Sequence, residues 1–470
     1  MSYYGYITQL KNVRPHPNAD RMKLADCFGN TVCVGLDALE NETVIYFPTD
    51  GQLSAEYCEH NNLVRKKDEN GNNVGGYMDP DKRNVKAIKL RGEKSDGLVM
   101  PLNSIDYTGV SIKDLTVGTR IDVINGHEIC KKYSPRSNHR RGNVSEGNRT
   151  RPKRMPIAPL FSEHADTEQL AYNLGAFLPG DEVEITLKMH GTSQRTGYLP
   201  VFKKMKRTLW DIIRRRPGTP IYDWGYVSGT RRTVLENYEG GYYGSNEFRE
   251  QHSKFFEGKL WKGETVYYEV VGFTTSGVPI MHSCNNKKTK DEEFIKKYGE
   301  ETVFSYGCAP AVLYFDDTDG RNQCVKGQSA IYVYRMTMTN EDGDVVEYTP
   351  HFMRYRCEQM GVKTVPVFWK GTIPEKIPVI GNNDEIGAPN LKNIDAGEYV
   401  RFKAEEYYDG PDPVGETHVR EGVVVRILNR PKFCAYKHKN FVFKVLEGII
   451  KEVAEAPDME EAESLEGENN

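Results

Sequence analysis

Residues 183–188 read Val-Glu-Ile-Thr-Leu-Lys, an apolar–polar alternation that fits a strand with one buried face. Pro179-Gly180-Asp181 supplies the turn before it. The run closes on Lys188, and Met189-His190-Gly191 follows at once. A sheet is therefore required here, with a lysine at the end of one strand. Gly191 has no Cβ, so the backbone there can pass close to a ligand. A lysine amine becomes a nucleophile near neutral pH when burial or neighbouring cations favour its uncharged form. Lys188 is thus a candidate nucleophile at the edge of a phosphate site.

At 470 residues the chain is long enough for two or more domains, each with its own core. No apolar run reaches the ~18 residues of a membrane span. The first residues, Met1-Ser2-Tyr3-Tyr4-Gly5, lack the basic and apolar regions of a signal peptide. Nine scattered cysteines without CxxC spacing suit free thiols in a reducing compartment, so a cytoplasmic location is expected. His282 and Cys284 have no second ligand pair at zinc spacing.

Charge is unevenly placed. Residues 452–470 hold eight acidic groups and no lysine or arginine, which predicts a disordered acidic tail. Residues 131–156 hold nine basic groups against Glu146 alone and predict a flexible basic linker able to meet nucleic-acid phosphates. Residues 1–130 carry short β-branched or aromatic runs at 31–35, 44–47, 84–91 and 98–100, a pattern that suggests a small β-barrel. His16-Pro17-Asn18-Ala19-Asp20-Arg21 in this part is similar to a stretch of tRNA-binding and synthetase-associated OB modules.

Residues 157–451 pattern differently. Leu170, Leu174 and Phe177 predict a helix over 167–177, with Asp166 as its cap. Strands are expected at 183–188, 223–229, 265–273, 330–337, 398–404 and 421–428, and helices at 245–257 and 350–360. Residues 200–220 read as a Lys- and Arg-rich insertion with Trp210, Ile212 and Ile213 as apolar anchors. The expected fold class is α+β, an antiparallel-sheet domain preceded by a small β-barrel.

Further residues share the chemistry of Lys188. Ser228-Gly229-Thr230-Arg231-Arg232 follows an aromatic strand. Glu269 and Gly272 close the run from Tyr267, and Tyr332 and Tyr334 lie in another. Glu421-Gly422 opens a valine-rich strand, and Lys437 and Lys439, two apart, share one strand face. Two such lysines can neutralise an α-phosphate. A carboxylate can hold Mg²⁺ or Mn²⁺. An arginine can bind ribose or phosphate, and a tyrosine can stack on a purine.

In this order the stretches resemble motifs I, Ia, III, IIIa, IV and V of the covalent nucleotidyltransferases, the superfamily of ATP-dependent ligases and capping enzymes. His190-Gly191-Thr192-Ser193 is similar to the nick-sealing, double-strand type of RNA ligase. The stretch 294–308, with Phe304-Ser305-Tyr306-Gly307-Cys308, also looks like this group, and residues 1–130 look like the OB-like module that one branch places ahead of its catalytic domain. The resemblance implies an adenylated Lys188 and a motif Ia arginine at Arg231, with Arg232 as the alternative. Glu269 would hold the ribose, Tyr334 (or Tyr332) would stack on adenine, and Glu421 would organise the metal. Lys437 and Lys439 would contact the α-phosphate, while Leu187, Gly191 and Gly422 would border the nucleotide. The implied function is ATP-dependent RNA ligation through lysyl-AMP and an adenylylated 5′ end. ATP and Mg²⁺ or Mn²⁺ would be cofactors, and RNA or an RNA-containing nicked duplex the partner, with no membrane or protein partner. A non-catalytic RNA-binding protein on the same scaffold, a DNA ligase and a capping guanylyltransferase are the alternatives.

Overall fold

The computed structural model describes residues 3–71, 73–134, 157–214, 218–235, 237–239, 242–316, 321–375, 378–380, 391–393 and 395–453. Nearly all of the basic linker and of the acidic tail lies outside the described residues. The chain divides into two compact units. The first comprises residues 1–137 with 288–290 and 440–457. The second comprises the remainder, including 138–287 and 291–439.

The first unit is rich in short strands, as expected. One antiparallel sheet has the order Leu98–Pro101, Thr43–Phe47, Gly5–Gln9, Arg120–Ile121. A second joins Lys11–Pro15, Lys23–Cys27 and Asn30–Val34. Ile7, Ile45, Phe47, Leu53, Tyr57 and Ile121 form its core. The expected boundary at 451 needs correcting. Helix Phe441–Val453 groups with this unit, burying Phe443 and Leu446 and pairing Lys444 with Asp96 (2.6 Å) and Lys451 with Asp50 (2.8 Å).

The second unit is built on two five-stranded sheets. The first has the order Glu168–Gln169, Ala435–Lys439, Gly422–Ile427, Glu182–Lys188, Val367–Thr372. It is antiparallel except for its short first pairing. The second has the order Thr219–Gly229, Thr192–Lys206, Glu264–Gly272, Ser329–Thr339, Val345–Glu347, all antiparallel. Met189, His190 and Gly191 are the whole connection from Lys188 to the first strand of the second sheet.

Period-2 alternation decides which face each sheet buries. On the first sheet Val183, Ile185, Val423, Val425 and Ile427 pack against Val400 and Ala404 of helix Ala396–Glu405. On the second, Val266, Tyr268, Val270 and Val333 pack against Phe248 of helix Glu247–Phe255 and Met353 and Cys357 of helix Pro350–Met360. The opposite faces carry the charged residues and meet where Arg426 lies 3.7 Å from Glu347; Glu184 of the first sheet pairs at 2.7 Å with Arg354 of helix Pro350–Met360.

Two expected elements differ. Residues 398–404 form a helix, not a strand, because Ala396, Val400 and Ala404 recur at a spacing of four. Asp395 caps its start, and Arg401 bridges Glu398 and Glu405 along one side. Residues 167–177 form a short strand and two 3₁₀ turns in place of an α-helix, although Leu170 and Phe177 are buried as expected. Asn173 and Gly175 weaken the helix, and Asp166 pairs with Arg231 instead of capping. All nine cysteines are free thiols, and no helix among the described residues is long and apolar enough to cross a membrane.

Helix Pro350–Met360 is fixed under the second sheet by a buried ion pair. Arg356 donates to both oxygens of Glu264 at 2.8 Å and lies over Trp261, and Tyr348 donates to the same carboxylate at 3.0 Å. Removing one partner strands the other charge away from water. Glu264→Ala is therefore expected to destabilise the protein by about 3–5 kcal/mol, read from urea unfolding of the intact chain. A loss below about 1 kcal/mol would show that the guanidinium finds water once its partner is gone.

Candidate active site

Register places the three charged residues of the site side by side. Lys188 and Lys439 each pair with Gly422, one from either side, so their strands flank the one that Glu421 precedes. Gly422 has φ +149°, and a Cβ there would sit 2.1 Å from the carbonyl oxygen of His438. Only glycine allows the three strands to close up at this point.

The Glu421 carboxylate is 2 % exposed. Its Oε1 lies 2.8 Å from Lys188 Nζ and 3.3 Å from Lys439 Nζ, and its Oε2 lies 3.7 Å from His190 Nδ1. Burial pushes its pKa up, but the two ammonium groups and His190 outweigh this and hold the carboxyl well below the usual range. Oε2 is buried without a hydrogen-bond partner among the described residues. A buried carboxylate oxygen of this kind is a hard donor that suits a divalent cation also held by water and phosphate.

Lys188 has both a cationic and an anionic neighbour: Lys439 reaches the same Glu421 oxygen, and that carboxylate is itself in contact with the Lys188 amine. Lys437 lies on the same strand face as Lys439, one pair further along and opposite Val424. The ion pairs to Glu421 come from Lys188 and Lys439. Leu187 turns into the core and is 1 % exposed, and its N–H donates to Pro366. Its side chain therefore points away from the lysines. Gly191 is needed for packing against protein: a Cβ there would meet Val270 O at 2.4 Å and Glu269 Cγ at 2.9 Å.

That close approach brings Glu269 of the second sheet beside the connection that follows Lys188. Glu269 pairs across strands with Ser193 and Tyr332. Tyr334 is the extra residue where the register shifts between Tyr267 and Tyr268. It shares a 2.8 Å hydrogen bond with Ser193 and lies half-buried. Tyr332 is 5 % exposed, under the Lys363 ammonium. Arg231 sits in the turn after strand Thr219–Gly229, buried and 2.9 Å from Asp166. Arg232 reaches the same carboxylate from solvent.

Several contributors had no role assigned from the sequence. The His164 ring packs 5.0 Å from that of Tyr334. Burial lowers its pKa well below the ordinary histidine value, and Arg335, Arg231 and Arg195 lower it further. Arg231 is among the cations that act on His164. Tyr306 accepts the His190 N–H at 2.6 Å. Burial pushes its phenol well up, as do the nearby Asp412, Glu421 and Glu269 carboxylates. Its ring and that of Phe304 pack edge-on against His418, and Phe304 packs edge-on against His190. Residues 304–308 resembled a family stretch without an assigned role; here they set the backbone just after Lys188.

The chain is similar to solved structures of a Naegleria gruberi RNA ligase. The form with pyrophosphate matches at TM-score 0.51 and 14 % identity, over 96 % of this chain and 99 % of that one. A lysine-to-alanine mutant with ATP and Mn matches at 0.50 and 13 % identity (94 % and 98 %). A lysine-to-methionine mutant with AMP and Mn matches at 0.50 and 14 % identity (94 % and 97 %). At such identities the likeness shows the fold. No family model matches the chain, and no curated protein does.

Asp412 and His418 lie fully buried in the segment leading to Glu421. Burial pushes the Asp412 carboxyl up to about 7 and His418 down to about 4. Between about pH 4 and 7 folded Asp412 keeps a proton that the unfolded chain has lost, so its contribution to stability falls as pH rises. Between about pH 4 and 6.5 folded His418 lacks a proton that the unfolded chain holds, so its contribution rises with pH. The two oppose each other. Asp412→Asn is expected to leave the His418 effect alone, making stability climb more steeply from pH 4.5 to 6.5, by up to about 1.4 kcal/mol per pH unit. Urea midpoints across that range check this, and unchanged slopes would mean that Asp412 is already ionised in the folded chain.

Proposed function

We propose that this chain is an ATP-dependent RNA ligase that works through a covalent lysyl-AMP. The observation that carries the reading is the pairing of Lys188 and Lys439 with one buried carboxylate, Glu421, across three adjacent strands. A solvated strand face would not hold a nucleophile-type lysine, a second lysine and an almost dry glutamate within hydrogen-bond reach of one another. The shared fold with the Naegleria gruberi RNA ligase, whose structures hold ATP, AMP, pyrophosphate and Mn, is consistent with it.

On this reading Lys188 Nζ, having lost a proton, attacks the α-phosphorus of ATP. The bond to the β-phosphate oxygen breaks, and pyrophosphate leaves with the electron pair. Lys439, with Lys437 further along the same face, neutralises the α-phosphate as charge develops. Glu421 Oε2 would be a ligand for Mg²⁺ or Mn²⁺, which would supply charge neutralisation at the phosphates. Glu269 accepts from the ribose hydroxyls. The Tyr334 ring, steadied by Ser193 and His164, offers a base platform, and Arg231 serves ribose or phosphate. The AMP then passes to a 5′-phosphate, and a neighbouring 3′-OH displaces it. The strand-rich first unit, read as OB-like, and the basic 131–156 segment would hold a nicked duplex through its shape and phosphates. The free thiols suit a reducing cytoplasm.

The test is labelling. The purified chain incubated with α-labelled ATP and Mg²⁺ or Mn²⁺ is expected to acquire label that resists alkali and is released by acidic hydroxylamine, as a P–N bond is. Lys188→Ala should abolish it, and Glu421→Ala or Lys439→Ala should slow it by about 10²-fold or more. Undiminished labelling of Lys188→Ala would move the nucleophile elsewhere. Label from GTP alone would make the chain a guanylyltransferase. Nicked RNA, DNA and hybrid duplexes, with unpaired RNA ends, then identify the strands sealed.

A further inference from the structure

The expected Lys- and Arg-rich insertion, 200–220, begins and ends in paired strands. Strands Thr192–Lys206 and Thr219–Gly229 form one long antiparallel hairpin. The first of them pairs with the rest of its sheet only from Thr192 to Gly197. Beyond that point the two strands continue as a ribbon for about nine residues, roughly 30 Å. One face of the ribbon is aromatic. Tyr198 and Tyr226 stack at 4.6 Å, Trp224 lies 5.9 Å from Tyr198, and Phe202 meets Tyr222 at 6.0 Å, all half-buried. From Lys203 outward the residues are largely exposed and the charge becomes positive. Lys203, Lys204, Lys206, Arg207 and Arg214 stand against Asp211 and Asp223. Thr208 donates to the Asp211 carboxylate through both its N–H and its hydroxyl. The short helix Leu209–Ile213 at the tip exposes Leu209 (78 %), Trp210 (66 %) and Ile213 (70 %), with the Arg214 guanidinium 5.4 Å from the indole.

We infer that this hairpin is a second nucleic-acid-binding arm, gripping an RNA strand through its phosphates and stacking Trp210 on a base face. Three observations favour that occupant. The cations cluster on the ribbon and tip, where they match a polyanion and repel a second copy of the same arm. Trp210 at the tip lies exposed among these cations, and a flat ring among cations is what a single strand stacks on. The ribbon also grows from the strand that begins four residues after Lys188, so a strand end lying at Lys188 and running outward would pass along it. The choice of RNA as the strand rests on the ligase reading; the arm itself does not.

The test uses the full chain and a fluorescein-labelled, 5′-phosphorylated nicked RNA duplex with a single-stranded overhang, without ATP, with binding read by anisotropy from 50 to 200 mM salt. Combined Lys203→Ala, Lys204→Ala, Lys206→Ala and Arg207→Ala should weaken binding at least about tenfold at low salt and reduce the slope of log K against log salt by about 3. Trp210→Ala should weaken it about fivefold or more with the slope unchanged. Label from ATP should stay at the wild-type level in both variants, which also shows that they fold. An equal loss on a DNA duplex supports the same phosphate-and-stacking contact. Unchanged RNA affinity in both variants overturns the inference, as does wild-type RNA binding accompanied by loss of binding to phosphatidylserine vesicles, which would make the tip a membrane contact. If wild-type protein takes no label from ATP while the variants lose RNA, the ligase reading falls and the arm stands.

Discussion

One buried carboxylate organises the second unit. Glu421 has almost no access to water, and isolating a charge in this way costs several kcal/mol unless cations stand beside it. Lys188 and Lys439 do so, and they come from strands that the register of Gly422 brings together. Removing the cations leaves a stranded anion, and removing the anion leaves two ammonium groups with no shared partner. Placing a side chain on Gly422 pushes the strands apart. The geometry of the site and the pairing of the sheet are one arrangement seen at two scales.

The same logic extends to the two sheets as a pair. A sheet domain ordinarily hides apolar faces between its layers. Here each sheet gives its apolar face to helices, and its other face carries Lys188, Lys437, Lys439, Glu184 and Arg426, or Glu269, Arg335 and Tyr334. Those charges are held by one another: Arg335 with Glu347, Arg354 with Glu184, Arg426 near Glu347. A polyphosphate is the kind of ligand that charged inner faces of mixed sign, with cations at the strand ends, can receive.

Much of this was legible in the sequence where period and chemistry coincided. The alternation of 183–188 fixed both the strand and the face on which Lys188 emerges, and the two-residue spacing of Lys437 and Lys439 put both on one side. Where two periods competed, the shorter read wrongly. Residues 398–404 alternate well enough to look extended, yet spacing by four of alanine and valine, with an aspartate cap, makes them a helix. Helix Phe441–Val453 was assigned to the wrong unit because sequence proximity to Lys439 says nothing about which core a segment joins. His164, Asp166, Tyr306 and Asp412 were missed as site neighbours for the same reason, since each reaches its position through tertiary contacts alone.

The salt link between Lys188 and Glu421 has a bearing on the resting protein. Here the Lys188 side chain is 20 % exposed and its acidic partner, 2.8 Å away, is a carboxylate that water scarcely reaches. The contact that balances charge at the strand ends therefore also restrains the side chain, holding the amine at one place beside Glu421.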